Sequence, residues 1–368
     1  MKKFVIVSLI VVIILTGVSF YLINDYYSKP NQEVVLQDLD VSKLTSFESW
    51  WQDKEEKYKI ELATREPEIT LFAVGDIMLS RMVGQKMVKY DNYDYPFKNV
   101  TDIISLADIA IANLESPINP GAPVVTGSFN FRADPEVAEA LKKAGFDALG
   151  LANNHILNQG QKGLENTVKY LAEQDIKYFG LANNSSDLET PIAIIEKKGK
   201  KFAFLAYAYG PDYYAAGKNS MGMIILDDKR LKQDLNQIKD QVDFIVVTMH
   251  DGIEYEHTSS KHQQDFAHLA IDLGADLVIG HHPHVVQEME IYNGKYIFYS
   301  LGNFIFDQMW SEATREGLAV KFTIHKEEVI DIEYYPVMNE DYSQPRFADD
   351  EESETILNYL QLEKLASE

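Results

Sequence analysis

From Ile69 onward, short apolar runs of strand length alternate with amphipathic stretches of helical period. Ile69–Val74, Asp108–Ala112, Phe146–Leu151, Asp243–Met249 and Asp276–Ile279 read as strands buried on both faces, because their apolar residues are continuous rather than alternating. Arg81–Tyr90, Pro135–Ala144, Gly163–Gln174, Lys229–Asp240 and Lys261–Leu273 read as the intervening helices. Pro191–Glu196 with Lys201–Tyr207, Gln287–Tyr292 with Lys295–Tyr299 around Asn293-Gly294, and Val320–Ile324 with Val329–Tyr335 read as hairpins. Alternating strands and helices give an α/β class, and the hairpins give a mixed sheet or two sheets.

The same pattern divides the chain. Phe4–Ile23 carries no charge and follows Lys2 and Lys3. At about 1.5 Å per residue it is long enough for a hydrocarbon core of about 30 Å, so 4–23 is expected to be an uncleaved signal anchor. The lysines hold residues 1–3 in the cytoplasm and place the remainder outside the membrane. Residues 24–68 are polar and acidic, a spacer; 69–340 form the main domain; 341–368 form an acidic tail with a short exposed helix.

Polar residues collect where the strands end. Asp76, Glu115, Asn154 with His155, His250, and His282 with His284 each follow an apolar run. Ligands of α/β sheets bind at the carboxyl ends of strands, where loops distant in sequence converge. In Gly280-His281-His282-Pro283-His284, an extended chain would put His282 and His284 on one side and His281 on the other. Imidazole and carboxylate together suit a divalent transition ion. Gly150-Leu-Ala-Asn-Asn154 recurs as Gly180-Leu-Ala-Asn-Asn184; the second copy, followed by Ser185, reads as an Asx turn.

Composition narrows the chemistry. The chain has 368 residues, no cysteine and a formal charge of −23. Thiolate zinc sites and disulfides are excluded, so a metal must be held by His, Asp, Glu or Asn. Nucleic acid is not an expected partner, and an anionic substrate needs a local positive centre, which a metal supplies.

Gly75-Asp76-Ile77-Met78 with Arg81, Asn113-Leu114-Glu115-Ser116-Pro117, Ala152-Asn153-Asn154-His155, His250-Asp251-Gly252-Ile253-Glu254-Tyr255, the His281–Val285 run and Tyr299-Ser300-Leu301-Gly302-Asn303-Phe304 together resemble the CapA family of capsule-synthesis proteins. The resemblance implies an αββα sandwich of the calcineurin-like metallophosphatase type. It also implies a part in poly-γ-glutamate or exopolymer synthesis, within a membrane-bound synthase and export complex. It further implies one or two divalent ions (Mn, Zn or Fe). On that pattern Asp76 and His284 hold the first ion, Glu115 bridges, and Asn154, His250 and His282 hold the second. His155 then stabilises charge or protonates a leaving group, and Arg81 faces a phosphate or carboxylate. Two residues depart from the pattern. Met78 stands where a histidine ligand is usual, and Glu115 where an aspartate is; the first ion is then weakly held, absent, or completed by another group such as Glu254, Asn303 or His281. The implied activity is a phosphoesterase-type hydrolase acting on an anionic polymer or phosphate ester. A non-catalytic assembly or export subunit, and an amide hydrolase, are the alternatives.

Overall fold

A computed structural model describes residues 66–125, 127–187 and 192–362, together with Lys54 and Lys57. The expected anchor 4–23 lies outside the described residues; among those described, no helix is long and apolar enough to cross a membrane. Residues 66–368 fall into one compact unit. It is a mixed α/β fold with two main sheets.

The strands, in chain order, are β1 (Ile69–Ile77), β2 (Ile109–Leu114), β3 (Ala148–Gly150), β4 (Lys177–Phe179), β5 (Leu181–Ala182), β6 (Ala193–Lys197), β7 (Lys200–Ala208) and β8 (Gly222–Met223). They continue as β9 (Phe244–His250), β10 (Leu277–His281), β11 (Met289–Tyr292), β12 (Lys295–Phe298), β13 (Asn303–Ile305), β14 (Glu316–His325), β15 (Glu328–Glu340) and β16 (Gln344–Phe347). The first sheet runs β16-β15-β14-β1-β2-β3-β4, with β13 also beside β1. Its members β1 to β4 are parallel, while β14 to β16 form an antiparallel wing. The second sheet runs β11-β12-β10-β9-β7-β6, parallel at its centre and closed by an antiparallel strand at each edge.

Alternation along the second sheet shows how the layers stack. Phe202, Phe204, Phe244, Val246, Leu277, Ile279 and Phe298 join the large core that contains Leu71, Ala73, Ile111 and Phe322 of the first sheet. The intervening residues Ala203, Leu205, Ile245, Val247 and Val278 pack instead against Leu231 and Leu235 of the helix Asp228–Ile238, and Phe266 and Ala270 of the helix Lys261–Asp272. Two periods, 2 along the strands and 3.6 along the helices, thus meet across one interface. The helix Lys261–Asp272 starts at a capping box of Ser260 and Gln263, which satisfies two of its free amide ends.

The predicted elements return within a few residues, and the Asn184 turn forms, with the Ser186 N–H donating to its Oδ1 at 2.9 Å. The stretch read as an acidic tail does more than expected. Gln344–Phe347 pairs with β15, and the helix Asp350–Tyr359 buries Ile356 fully, with Leu360 just beyond it. Three acidic residues in the first turn of that helix suit its N-terminus and give the segment its solvated appearance. Ile356→Ala should therefore lower unfolding stability by about 2–4 kcal/mol, measured by denaturant titration; a change under about 0.5 kcal/mol would mean the helix is not docked.

Candidate metal centre

The strand ends bring six side chains from both sheets into one cluster, buried except for the half-buried Asn154 and His155. Asp76 is the penultimate residue of β1, Glu115 follows β2, and Asn154 and His155 follow β3. His250 and His281 are the last residues of β9 and β10. Both carboxylates thus come from the first sheet, and the imidazoles come from the second except that of His155, which follows β3 of the first. One ligand atom from each of Asp76, Glu115 and His250 lies within 4.8 Å of the others, and all three residues are buried.

Asp76 is the hub. Its Oδ1 accepts from Asn113 Nδ2 at 2.8 Å, and its Oδ2 from the backbone N–H of His282 at 3.2 Å. His281 Nδ1 lies 3.1 Å from Oδ1, and His284 Nδ1 3.5 Å from Oδ2. Burial pushes this carboxyl up, but the imidazoles of His281 and His284, then His250, hold it well below the ordinary range. Glu115 behaves oppositely. It is fully buried, and neither carboxylate oxygen has a hydrogen-bond partner. Burial, then the charges of Asp76 and Glu254, push it well above the usual carboxylate value.

The histidine run departs from the extended geometry expected of it. His282 and His284 take φ of 99° and 59°, on either side of Pro283, so the chain turns at the end of β10. The turn carries all three imidazoles toward the cluster instead of placing His281 on the opposite side. His284 Nε2 stands 3.7 Å from Glu115 Oε1, and the ring of His282 lies 4.8 Å from that of His250. Left-handed backbone at two residues with side chains is strained, and such strain gathers at functional sites.

Asn154 Oδ1 lies 3.0 Å from His250 Nε2, so two atoms expected to share an ion are already neighbours. Burial, then the charge of His282, depresses His250 well below its normal value, leaving the neutral imidazole that binds metals. His155 stacks on Phe131 at 3.9 Å, and its Nε2 is 3.9 Å from Glu115 Oε1. Burial brings its value down to about 4; the Asn158 hydrogen bond opposes that, and His284, Arg81 and His282 reinforce it. Its Nδ1 faces Asn158 Oδ1 at 2.9 Å, an oxygen that can only accept. The ring proton of neutral His155 therefore sits on Nδ1, and Nε2 offers a lone pair to the centre.

Arg81 reaches the edge of the cluster but does not stand free. Its guanidinium forms a two-pronged pair with Asp307 and lies 4.7 Å over the Phe131 ring. The guanidinium is thus paired with Asp307, while its charge still acts on Glu115 and His155. Met78 is buried, and its sulfur accepts from the Ser80 N–H at 3.1 Å. Asn303, weighed as a ligand, instead supports one: its Oδ1 is 3.0 Å from His284 Nδ1, and its amide nitrogen donates to Gln308 and to the Thr314 carbonyl. Glu254 is exposed on the rim.

Sequence reasoning left out Asn113, Asn153, Asn158 and Asp307. Asn113 donates to Asp76 and lies 3.3 Å from His250 Nδ1; Asn153 donates to Asn113 Oδ1 at 3.1 Å. Their only sequence signal is adjacency to the strand-end residues. Removing such outer partners typically costs 10–100-fold in metal affinity. Asn113→Ala should weaken divalent-ion binding by about that factor with the fold intact, measured by calorimetric titration. Unchanged affinity would remove Asn113 from the centre.

The donors fit a cation. Both Glu115 oxygens and His282 Nδ1 are buried without hydrogen bonds. Leaving buried carboxylate oxygens unpaired is costly, and a divalent ion between Asp76, Glu115 and His250 removes that cost. Three carboxylate or imidazole donors with further lone pairs from Asn154, His282 and His284 match the preference of borderline ions for N and O ligands.

Comparison with known proteins agrees in family. Residues 70–308 match the model of the bacterial capsule synthesis protein PGA_cap. The chain is 34% identical over 266 residues to the capsule biosynthesis protein CapA of Bacillus anthracis, covering 69% of this chain and 63% of that protein. It is 30% identical over 336 residues to the PGA biosynthesis protein CapA of Bacillus subtilis (strain 168), covering 90% and 87%. Among solved structures, it is similar to a hypothetical protein from Thermus thermophilus, with a TM-score of 0.49, 15% identity and coverage of 74% of this chain and 100% of that one. The match to the family model spans well over half of the sequence, and the chain belongs to the bacterial capsule synthesis protein family.

Proposed function

We propose that this protein is a divalent-metal-dependent hydrolase of the phosphoesterase type that serves bacterial capsule synthesis, of the poly-γ-glutamate kind named for its relatives. The fold is read as an αββα sandwich of the metallophosphatase type, held outside the cell by the N-terminal segment 4–23 and associated with polymer synthase and export proteins. The observation that carries the hydrolase reading is Glu115: a buried carboxylate with no hydrogen-bond partner, beside Asp76 and His250 and facing a neutral histidine. The ions, when bound, supply Lewis-acid charge and lower the pKa of a coordinated water.

The chain's own residues account for the rest. Asp76, His281 and His284 form an interlocked group whose orientation is fixed by Asn113 and Asn303. Asn158 and Phe131 hold the His155 ring, so that Nε2 points to the centre and can accept or, once protonated, return a proton. Asp307 and Phe131 fix Arg81 against the same wall. The metal-loaded full chain should hydrolyse a model phosphodiester or phosphomonoester such as a p-nitrophenyl ester. His155→Ala should lower kcat by about 10²–10⁴-fold without loss of bound metal. Equal turnover in that variant would remove His155 from the chemistry.

One observation favours a second reading, a non-catalytic assembly subunit that keeps a structural ion. Met78, where a histidine ligand is usual in the resemblance, is a poor ligand for a hard or borderline ion, and its sulfur is already used by Ser80. Metal-loaded protein without turnover, and normal polymer yield in cells carrying His155→Ala, is the outcome that selects this reading.

A further inference from the structure

Tyr255 stands at the mouth of the metal centre on left-handed backbone. It takes φ of 70° and follows Gly252 at φ 129°. A tyrosine in this conformation is strained, and strain of this kind gathers at functional sites. Its N–H donates at 2.8 Å to the carbonyl of Pro283, which lies between His282 and His284. Its ring lies 6.3 Å from that of His284, 29° from parallel, and meets the Trp310 ring edge to face at 5.9 Å. Main chain and side chain are therefore both set by the histidine turn.

The hydroxyl is what this placement presents. Tyr255 is 44% exposed, so the phenol is open to a ligand. The charges of Glu254, Arg81 and Glu115 all act on the hydroxyl, and the Glu254 carboxylate accepts from it. The Glu254 charge acts in turn on Glu115 and His282, so the hydroxyl and its partner both lie at the centre. Other donors around the cluster are already committed. The Arg81 guanidinium ends on Asp307, and the Asn113 amide and the His282 N–H end on Asp76. Those two acceptors are buried, away from water. Glu254 is exposed, so water takes over its oxygen when the phenol proton turns to another acceptor.

We propose that Tyr255 is a catalytic residue whose hydroxyl donates a hydrogen bond to a non-bridging oxygen of the scissile ester in the transition state. In phosphoryl transfer negative charge spreads over the non-bridging oxygens. A donor fixed at that position lowers the barrier more than it tightens substrate binding. Pro283, His284 and Trp310 hold the phenol on the same turn that carries the imidazoles, so donor and centre share one frame. The role rests on the hydrolase reading above and adds to His155 a second group that touches the reacting ester. It concerns the ester alone and holds whatever polymer bears it.

The experiment compares the metal-loaded full chain with Tyr255→Phe and Tyr255→Ala, with metal content measured on every sample. Turnover of a p-nitrophenyl phosphate ester is read as kcat and KM, and orthovanadate and inorganic phosphate are titrated calorimetrically. Tyr255→Phe should lower kcat by about 10²-fold, with KM within about threefold of the parent. It should weaken orthovanadate, which takes the five-coordinate shape of the transition state, by about 10-fold or more, while phosphate stays within about threefold. Tyr255→Ala should match Tyr255→Phe, because the hydroxyl and not the ring carries the effect. Unchanged kcat in Tyr255→Phe, a loss confined to Tyr255→Ala, equal losses for vanadate and phosphate, or loss of metal from the variants each overturns the role and leaves the hydrolase reading standing. A parent protein that holds metal but turns over no ester overturns the hydrolase reading, and this role with it.

Discussion

Asp76→Asn is expected to lower affinity for a divalent ion by at least about 100-fold, more than the loss of an outer partner. The substitution keeps size and removes charge. It also replaces one acceptor oxygen with an N–H₂ group in a place that needs two acceptors. Oδ1 receives Asn113 Nδ2 and Oδ2 receives the His282 N–H, so either orientation of the amide sets donor against donor. The consequence reaches beyond one lost ligand, since the His281–His284 turn is anchored by that same carboxylate. Calorimetric titration of manganese and of zinc into the variant is the measurement. Affinity within about threefold of the parent chain would show that Asp76 is a structural acid and not part of a cation site.

Gly280→Ala is expected to abolish folding, or to destabilise the protein by more than about 4 kcal/mol, the range reached only by severe packing defects. A Cβ on Gly280 would lie 1.9 Å from the carbonyl oxygen of Tyr299, and one on Gly75 would lie 2.1 Å from that of Gly302. Both clashes are with backbone, which cannot step aside as a side chain would. The segment involved is the one that leaves the second sheet at β12 and enters the first at β13 beside β1. It passes over the ends of β10 and β1, just before His281 and Asp76. The two glycines allow that crossing, and the crossing delivers Asn303 to His284. Gly199→Ala, in an open turn with φ +80°, should cost only about 1–2 kcal/mol, the ordinary penalty for a left-handed residue with a side chain. Soluble yield and thermal unfolding of the three proteins distinguish the cases. Normal folding of Gly280→Ala would mean that the two sheets are not locked together at this crossing.

Much of this was legible in the residues. Continuous apolar runs marked β1, β2, β9 and β10 because strands covered on both faces need apolar side chains at every position. The chemistry stood at their ends for the same topological reason. The shape of the histidine run was not legible, since an alternation argument assumes extended backbone, whereas His282 and His284 take left-handed φ. Asn113, Asn153 and Asp307 were hidden because their roles depend on partners 37, 40 and 226 positions away. Arg81 offers the same lesson, since the sequence shows a cation and the structure supplies its counterion. The strand and helix beyond residue 340 were masked by acidic residues that face water, while Ile356 and Leu360 face inward. The expected anchor 4–23 lies outside the described residues.

The central question is whether Asp76, Glu115 and His250 hold an ion. Elemental analysis of the purified full chain after exhaustive dialysis tests this most directly, with His282→Ala prepared alongside. At least one tightly held divalent ion per chain is expected, reduced in the variant. A parent protein free of metal that also fails to take up added manganese, zinc or iron would contradict it.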